Sequence, residues 1–230
     1  MGIQGWSSIA TRVPHPRDVT DRAKEQAYGF CVHTTGSGVP RRAKELGVDP
    51  LVVALDIYLE PDDPAHGVFT SFPHYVISSS GALVQIANDR ERARHAGISV
   101  GDRAMYLSGA WRSKVSSAGL ALWDSKWGLK SPLGLFPSRS PNEDLLACEM
   151  IPLLAPLPNG SLFTPVQYDL LAALLDDVEV RHRISLSGRR LVAHEDIEPL
   201  ARWNRYGWDP GALAPTPVFL WADVHARRRR

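Results

Sequence analysis

Two short runs of apolar and β-branched residues in this chain each end in a histidine. They are Phe30-Cys31-Val32-His33 and Leu191-Val192-Ala193-His194. Such runs are typical of short buried strands, so we expect each imidazole to project from a strand end into a cleft. The two histidines lie too far apart in the sequence for a local motif, so only a fold that brings both strand ends together would unite them.

A third fragment, Trp208-Asp209-Pro210-Gly211, is a turn that would bring a carboxylate to the same cleft. Two imidazoles and a carboxylate can hold one zinc ion. Three protein ligands leave the fourth tetrahedral position open, as in catalytic zinc sites. A histidine at a strand end is more often a structural residue than a ligand, so on chemistry alone both interpretations of His33 and His194 stay open.

The composition is that of an ordinary globular protein. The 230 residues are 44% hydrophobic and 22% charged, and we expect one domain over residues 1–230. A formal net charge of +1 provides no bulk attraction to nucleic acid or to an anionic membrane. We find no apolar stretch of membrane-spanning length and no secretory signal, so we expect synthesis in the cytoplasm.

The two cysteines are too few for a disulfide framework. Cys31 should share a strand face with His33, whereas Cys148 should face away from Glu149. If His33 and Glu149 line one cleft, the two sulfur atoms lie on opposite sides of the sheet. Four further histidines carry no motif and are expected at the surface: His15, His66, His182 and His225.

Local signals predict several helices and strands. Asp49-Pro50 is a helix start, with the aspartate as N-cap and the proline in the first turn. A helix over 165–178 follows Thr164, and Gln167 completes a capping box. The other predicted elements are a hairpin of strands 75–77 and 83–86, a strand at 191–193 and a helix over 218–226.

The segment 99–144 is rich in serine, glycine and proline and contains three tryptophans, Trp111, Trp123 and Trp127. A structureless segment of this length is uncommon in a compact domain and is often functional. We expect it to form an insertion or rim beside the cleft. Packing of the tryptophans into a small subsidiary core is an equally open interpretation.

Seven fragments, taken in order, resemble those of the zinc-dependent N-acetylmuramoyl-L-alanine amidases. That family includes phage lysozymes of the amidase type, cytoplasmic anhydromuropeptide amidases and peptidoglycan recognition proteins. No fragment is specific alone, but the order is. They are Val32-His33, His74-Tyr75-Val76-Ile77 with Gly81-Ala82-Leu83-Val84-Gln85, Arg92-Ala93-Arg94-His95-Ala96-Gly97, Ala147-Cys148-Glu149, Phe163-Thr164-Pro165-Val166-Gln167-Tyr168, His194-Glu195-Asp196-Ile197-Glu198-Pro199 and Asp209-Pro210-Gly211.

The resemblance implies an α/β fold, with a central mixed sheet flanked by helices and a zinc cleft along one face. It implies hydrolysis of the amide between N-acetylmuramic acid and L-alanine of the stem peptide. The implied zinc ligands are His33, His194 and Asp209. Glu149 is the implied proton-transfer group, with a surface carboxylate in an edge strand as the alternative interpretation. His95 and Tyr75 are the implied substrate-side residues, although His95 in a structural role and Tyr75 as an orienting residue of the hairpin remain alternatives. Arg205 is a further candidate on the substrate side, in place of a lysine that this chain lacks.

One departure concerns the lysine that family members often carry two residues before the last ligand, because Gly207 stands there in this chain. Arg202 or Arg205 would have to replace that lysine. The partner implied is peptidoglycan or a muropeptide, and the sequence identifies no delivery machinery or immunity partner. We favour an active enzyme with a lytic role, as an endolysin or a delivered effector. A cytoplasmic recycling amidase and a non-catalytic peptidoglycan-binding protein are the alternatives.

Overall fold

A six-stranded mixed sheet forms the centre of the computed structural model, which describes residues 5–16, 27–60, 71–96, 108–109, 115–117, 119–120, 141–187, 190–199, 202 and 208–228. The strand order is β1-β4-β3-β5-β2-β6. Only β3 and β4 pair antiparallel, and the other four neighbouring pairs are parallel. The strands are β1 (Thr11–Arg12), β2 (Gly29–Thr34), β3 (Tyr75–Ile77), β4 (Leu83–Gln85), β5 (Leu145–Met150) and β6 (Leu191–Ala193).

Helices cover both faces of this sheet, which confirms the predicted α/β class. One face packs against the long helix α4, whose residues Leu171, Leu174 and Leu175 lie in the largest core cluster. The other face is partly covered by α1 and α2, through residues that include Ala43 and Ala54. The helices are α1 (Gly38–Leu46), α2 (Pro50–Leu59), α3 (Pro141–Asp144), α4 (Pro165–His182), α5 (His194–Ile197) and α6 (Trp221–Arg227).

Locally encoded elements form where the sequence predicts them. The Asp49 side chain accepts a hydrogen bond from the Leu51 amide at 2.7 Å, and the Thr164–Gln167 capping box is present at the start of α4. The predicted hairpin is the antiparallel pair β3–β4. Helix α6 begins at Trp221 rather than at 218, because the backbone of Val218 instead pairs with Gly211 and Leu162.

The expected placement of four histidines at the surface is wrong for two of them. His15 is 9% exposed and His182 is 1% exposed. The ring of His182 bridges the Ala27 amide and the Asp89 carboxylate, which explains its burial. His225 is exposed as expected, and His66 lies outside the described residues.

The two cysteines are free thiols on opposite faces of the sheet, as expected. Cys31 packs with Val192 and Ile197, whereas Cys148 belongs to the cluster around α4. None of the helices in the described ranges is long and apolar enough to cross a membrane.

Most of the segment 99–144, with its three tryptophans, lies outside the described residues. Its last four residues form α3, which leads into β5. Within the insertion, the Ser116 amide donates a hydrogen bond of 2.8 Å to Oδ1 of Asp196, on the short helix α5. Gly119 lies so close to Asp196 that an added Cβ would be 2.7 Å from Oδ1. This part of the insertion is therefore held against the helix that begins with His194, while its role as a rim stays a prediction.

Candidate active site

Three parallel strands end at the same edge of the sheet and carry polar side chains there. In the β2–β5 pair, His33 lies opposite Glu149. In the β2–β6 pair, Val32 lies opposite Ala193, so His194 follows directly beside His33. The carboxyl ends of parallel strands are where α/β sheets usually bind ligands. The strand register thus brings His33, Glu149 and His194 to one place.

Asp209 reaches this place on a turn that is held from both sides. Its Oδ1 accepts a hydrogen bond of 2.6 Å from the Thr34 amide. The Glu195 carboxylate accepts from the amides of Asp209, Gly211 and Leu213 at 2.9, 3.2 and 2.7 Å. Because these contacts fix the backbone and one carboxylate oxygen, the second oxygen, Oδ2, is directed at the two histidines.

The sequence did not predict a role for Glu195. We call its three hydrogen bonds to the backbone of the Asp209 turn the Glu195 clamp, and we expect this clamp to stabilise the fold. Glu195→Ala is expected to lower the free energy of unfolding of the metal-free protein by about 2–3 kcal/mol, because buried amides lose their acceptor. Chemical denaturation measures this. Glu195→Gln, which keeps one carbonyl oxygen, should lose less. Equal stability of the alanine variant and wild type would contradict the clamp.

Three ligand atoms converge at the centre of the site. His33 Nδ1 lies 2.9 Å from His194 Nδ1, and Asp209 Oδ2 lies 2.8 Å from His194 Nδ1 and 3.8 Å from His33 Nδ1. Two atoms bound at about 2.0–2.1 Å to a tetrahedral zinc ion lie about 3.3 Å apart. The observed separations bracket that value, and the three residues are at most 4% exposed. The donor set therefore fits a zinc ion.

The charges of His33 and Asp209 are already suited to a cation. For His194, burial disfavours the charged form, but Asp209 and Glu198 together raise its pKa, so His194 releases a proton when metal binds. Burial, together with the neighbouring His194, lowers the pKa of His33 to about 4, so its imidazole is neutral. Burial disfavours the ionised form of Asp209, but the charge and hydrogen bond of His194, together with the interaction with His33, outweigh burial and hold the pKa of Asp209 well below its usual value. A neutral imidazole and an ionised carboxylate are the forms that bind metal.

Glu149 has the protonation behaviour of an acid–base group. Burial and the nearby Asp209 carboxylate raise the pKa of Glu149 to about 8. Its side chain is partly exposed overall, yet Oε2 is shielded from solvent and has no hydrogen-bond partner in the described part of the protein. A carboxyl group with a pKa near the working pH is suited to general acid–base catalysis.

Arg202 is the arginine that the described residues place at the site. Its Nη1 lies 3.5 Å from Oδ2 of Asp209, and its Nη2 lies 3.3 Å from Nε2 of His194 and 3.8 Å from Glu198. Gly207, at the position where the resemblance led us to expect a lysine, and the candidate Arg205 both lie outside the described residues.

His95 reaches the site and packs against His33. It is 6% exposed, and its two ring nitrogens lie 3.1 Å from His33 Nε2 and 3.3 Å from the Leu145 carbonyl oxygen. The ring therefore sits behind His33, with a protein partner at each nitrogen. This geometry favours the structural alternative for His95, and contact with substrate stays a prediction.

Tyr75 is not part of the site. It lies opposite Cys148 in the β3–β5 pair, on the face of the sheet that packs against α4, and it is 0% exposed. Its hydroxyl donates to Asp89 and accepts from Arg181 at 2.8 Å. The expectation of a substrate-side role for Tyr75 is corrected, because side chains alternate between faces along a strand and this one points away from His33.

Tyr75→Phe is therefore expected to affect stability and not catalysis. The substitution removes two buried hydrogen bonds, the one donated to Asp89 and the one accepted from Arg181, and should cost about 1–3 kcal/mol of unfolding free energy. Below its melting temperature the variant should keep the wild-type kcat/KM on cell-wall substrate. A large fall in kcat/KM of the folded variant would contradict this prediction and would support a role for Tyr75 in substrate binding or catalysis.

A second group of possible metal ligands shares one histidine with the first. Ligand atoms of Cys31, His33 and His95 lie within 4.8 Å of one another. Burial raises the pKa of the Cys31 thiol well above its usual value, so the thiolate that a metal needs is disfavoured. The aspartate-containing group has its anion already formed, and it is the better candidate.

These features define the class of protein. Its members have an α/β fold in which two histidines, an aspartate and a glutamate lie together at the ends of parallel strands. The chain belongs to the N-acetylmuramoyl-L-alanine amidase family, whose profile matches residues 28–212. The matched range contains the four site residues His33, Glu149, His194 and Asp209. Among curated proteins, no sequence matches this chain.

Solved structures with a similar fold include a selenomethionine derivative of AmpD. It is 21% identical over 98% of this chain and 98% of that one, with a TM-score of 0.55. The solution structure of Citrobacter freundii AmpD is also 21% identical, over 97% of this chain and 92% of that one, with a TM-score of 0.47. The Ph2119 endolysin from a Thermus scotoductus bacteriophage is 11% identical over 94% of this chain and 92% of that one, with a TM-score of 0.49. The first of these supports the shared fold.

Proposed function

We propose that this protein is a zinc-dependent N-acetylmuramoyl-L-alanine amidase that hydrolyses the amide between N-acetylmuramic acid and the stem peptide. The observation that carries the proposal is the convergence of His33 Nδ1, His194 Nδ1 and Asp209 Oδ2 next to Glu149, within the range matched by the family. Two imidazole nitrogens and one carboxylate form a typical catalytic zinc set.

When bound, zinc would polarise the scissile carbonyl and lower the pKa of a water molecule to about 7. Glu149 would accept the proton of the attacking water through the shielded Oε2. As the C–N bond breaks, Glu149 would return that proton to the nitrogen of L-alanine, and the new carboxylate would stay on the muramic acid. Its raised pKa allows Glu149 to act as both base and acid near neutral pH.

Arg202 would supply the positive charge that relatives often obtain from a lysine at the position of Gly207. Its guanidinium lies 3.5 Å from Oδ2 of Asp209 and so borders the metal centre. A fixed cation at this point would stabilise negative charge on the carbonyl oxygen during the reaction. Arg205 remains an alternative for this role.

We further propose polymeric cell wall as the substrate and a lytic role, as an endolysin or a delivered effector. The departures from the recycling amidases support this preference, namely the glycine in place of the lysine and the long insertion at 99–144. Ser116 of the insertion donates a hydrogen bond to Asp196, two residues after His194, and this contact supports a rim beside the site through which a glycan strand would pass.

The test compares isolated sacculi with soluble anhydromuropeptides, each with and without chelator, and identifies released products by mass. Stem peptides that begin with L-alanine, released from sacculi and lost with chelator, would support the proposal. Tyr75→Phe is the matched active control. Release from soluble muropeptides alone would favour recycling, and tight binding to sacculi without cleavage would make the protein a binding module.

A further inference from the structure

His95 forms the middle of a chain of three hydrogen-bonding groups that ends at the metal centre. Its Nε2 lies 3.3 Å from the Leu145 carbonyl oxygen, and its Nδ1 lies 3.1 Å from Nε2 of His33. The opposite nitrogen of His33, Nδ1, faces His194 and Asp209. The chain therefore runs from the backbone of β5, through two imidazoles, to the place where zinc would bind.

The chemistry of these groups fixes which atom donates and which accepts in each of the two hydrogen bonds of His95. A carbonyl oxygen only accepts hydrogen bonds, so Nε2 of His95 must carry the proton that it donates to Leu145. Neutral His95 then has a lone pair at Nδ1, which accepts from Nε2–H of His33. That leaves the lone pair of His33 at Nδ1, directed at the metal centre.

His95 is itself fixed in place. The Oδ1 atom of Asn142 accepts hydrogen bonds from the amides of His95 and Ala96 at 3.2 and 3.0 Å. Asn142 belongs to α3, which leads directly into the strand that carries Leu145. The His95 and His33 rings meet edge to face, with centroids 5.1 Å apart and an angle of 83° between their planes. The imidazole of His95 has little freedom to turn away.

We propose that His95 is a positioning residue that selects the tautomer and ring orientation of His33 in which Nδ1 is available to a metal ion. The consequence for metal binding rests on the metal centre of the proposed function. Hydrogen-bond partners of ligand histidines contribute about 10–100-fold to metal affinity in other proteins. This role differs from contact with substrate, because His95 acts only through His33.

Two substitutions distinguish the effect of the His95–His33 hydrogen bond from the effect of the packing of the His95 ring. His95→Phe keeps a ring of similar shape but removes the acceptor. His95→Asn loses the ring but places an amide oxygen near the position of Nδ1. Exposed His225→Phe is the matched control. Nitrogen-15 NMR of the metal-free proteins reports the tautomer of His33, and competition with a chromophoric chelator measures affinity for zinc.

In metal-free wild type we expect His33 to carry its proton on Nε2. In His95→Phe we expect a mixture of tautomers and a zinc Kd raised about 10–100-fold. His95→Asn should restore both readouts to within a few-fold of wild type. Wild-type affinity together with a wild-type His33 spectrum in the phenylalanine variant would overturn the proposal. If wild type itself binds no zinc, the metal centre fails, and the NMR comparison still decides whether His95 sets the His33 tautomer.

Discussion

Glu149→Gln is expected to lower kcat by about 10²–10⁴-fold while the protein keeps its fold and its zinc site. The amide has nearly the shape of the carboxyl group but cannot accept and return a proton. Glu149 sits opposite His33 in the strand register and is not among the three convergent ligand atoms. Its removal should therefore affect proton transfer far more than metal binding.

The same substitution is expected to stabilise the metal-free protein at neutral and alkaline pH. Burial raises the pKa of Glu149 from 4.5 to about 8, so the folded state holds a proton that the unfolded state has released. Wild type thus has its full stability from this group below about pH 4.5 and loses it as the pH rises through about 8. Glutamine has no charge to bury, so its advantage should grow over this window.

Steady-state rates on sacculi, zinc affinity and denaturation at pH 5 and pH 8.5 measure these effects. Glu143→Gln makes the same chemical change six residues earlier, in α3, where the carboxylate pairs with Arg92 at 3.2 Å. This control should keep wild-type activity. Retention of full activity by Glu149→Gln would assign proton transfer to another group.

Removal of zinc is expected to abolish activity and to lower the melting temperature of wild type. A ligand that binds only the folded state stabilises it by about 4 kcal/mol when its free concentration is a thousand times Kd. Here zinc would join three segments that lie far apart in the chain, at His33, His194 and Asp209. Its loss removes that contribution to folding.

Asp209→Asn should remove the stabilisation by zinc and leave the structure of the turn nearly unchanged. The amide oxygen can still accept from the Thr34 amide, while the negative charge at Oδ2 is lost. We expect zinc affinity to fall by more than the about 10–100-fold typical of residues that only support a ligand. Calorimetry with and without chelator measures this. The melting temperature of the variant should not respond to chelator, and an unchanged melting temperature of wild type after verified metal removal would contradict the ligand assignment.

Elements set by neighbouring residues were predictable from the sequence. The N-cap at Asp49, the Thr164–Gln167 capping box and the β3–β4 hairpin depend on contacts within a few residues, which sequence patterns record directly. The extent of α4 to His182 was less predictable, because its last turn is held by tertiary contacts of His182 with Ala27 and Asp89.

Roles that depend on which face a side chain occupies were not predictable. Alternation along a strand gives relative faces within that strand, but the sheet order decides which face meets the cleft. Tyr75 and Glu149 lie on neighbouring strands, yet Tyr75 pairs with Cys148 and so points to the opposite side. The position of His95 depends on a contact with His33 across 62 residues of sequence.

The sequence by itself determined the candidates His33, His194 and Asp209 and the local helix caps, because these follow from residue chemistry and short-range periodicity, while Glu149 and the α/β class came from the order of the fragments that resemble the amidase family. The tertiary structure alone decided the clamp of Glu195 on the Asp209 turn, the approach of Arg202 and the position of His95 behind His33. The physical reason is that each of these depends on direction and distance between strands and turns, and His33 and His194 meet at 2.9 Å across 161 residues of sequence. No local pattern records such a contact, because only the register of β2, β5 and β6 creates it.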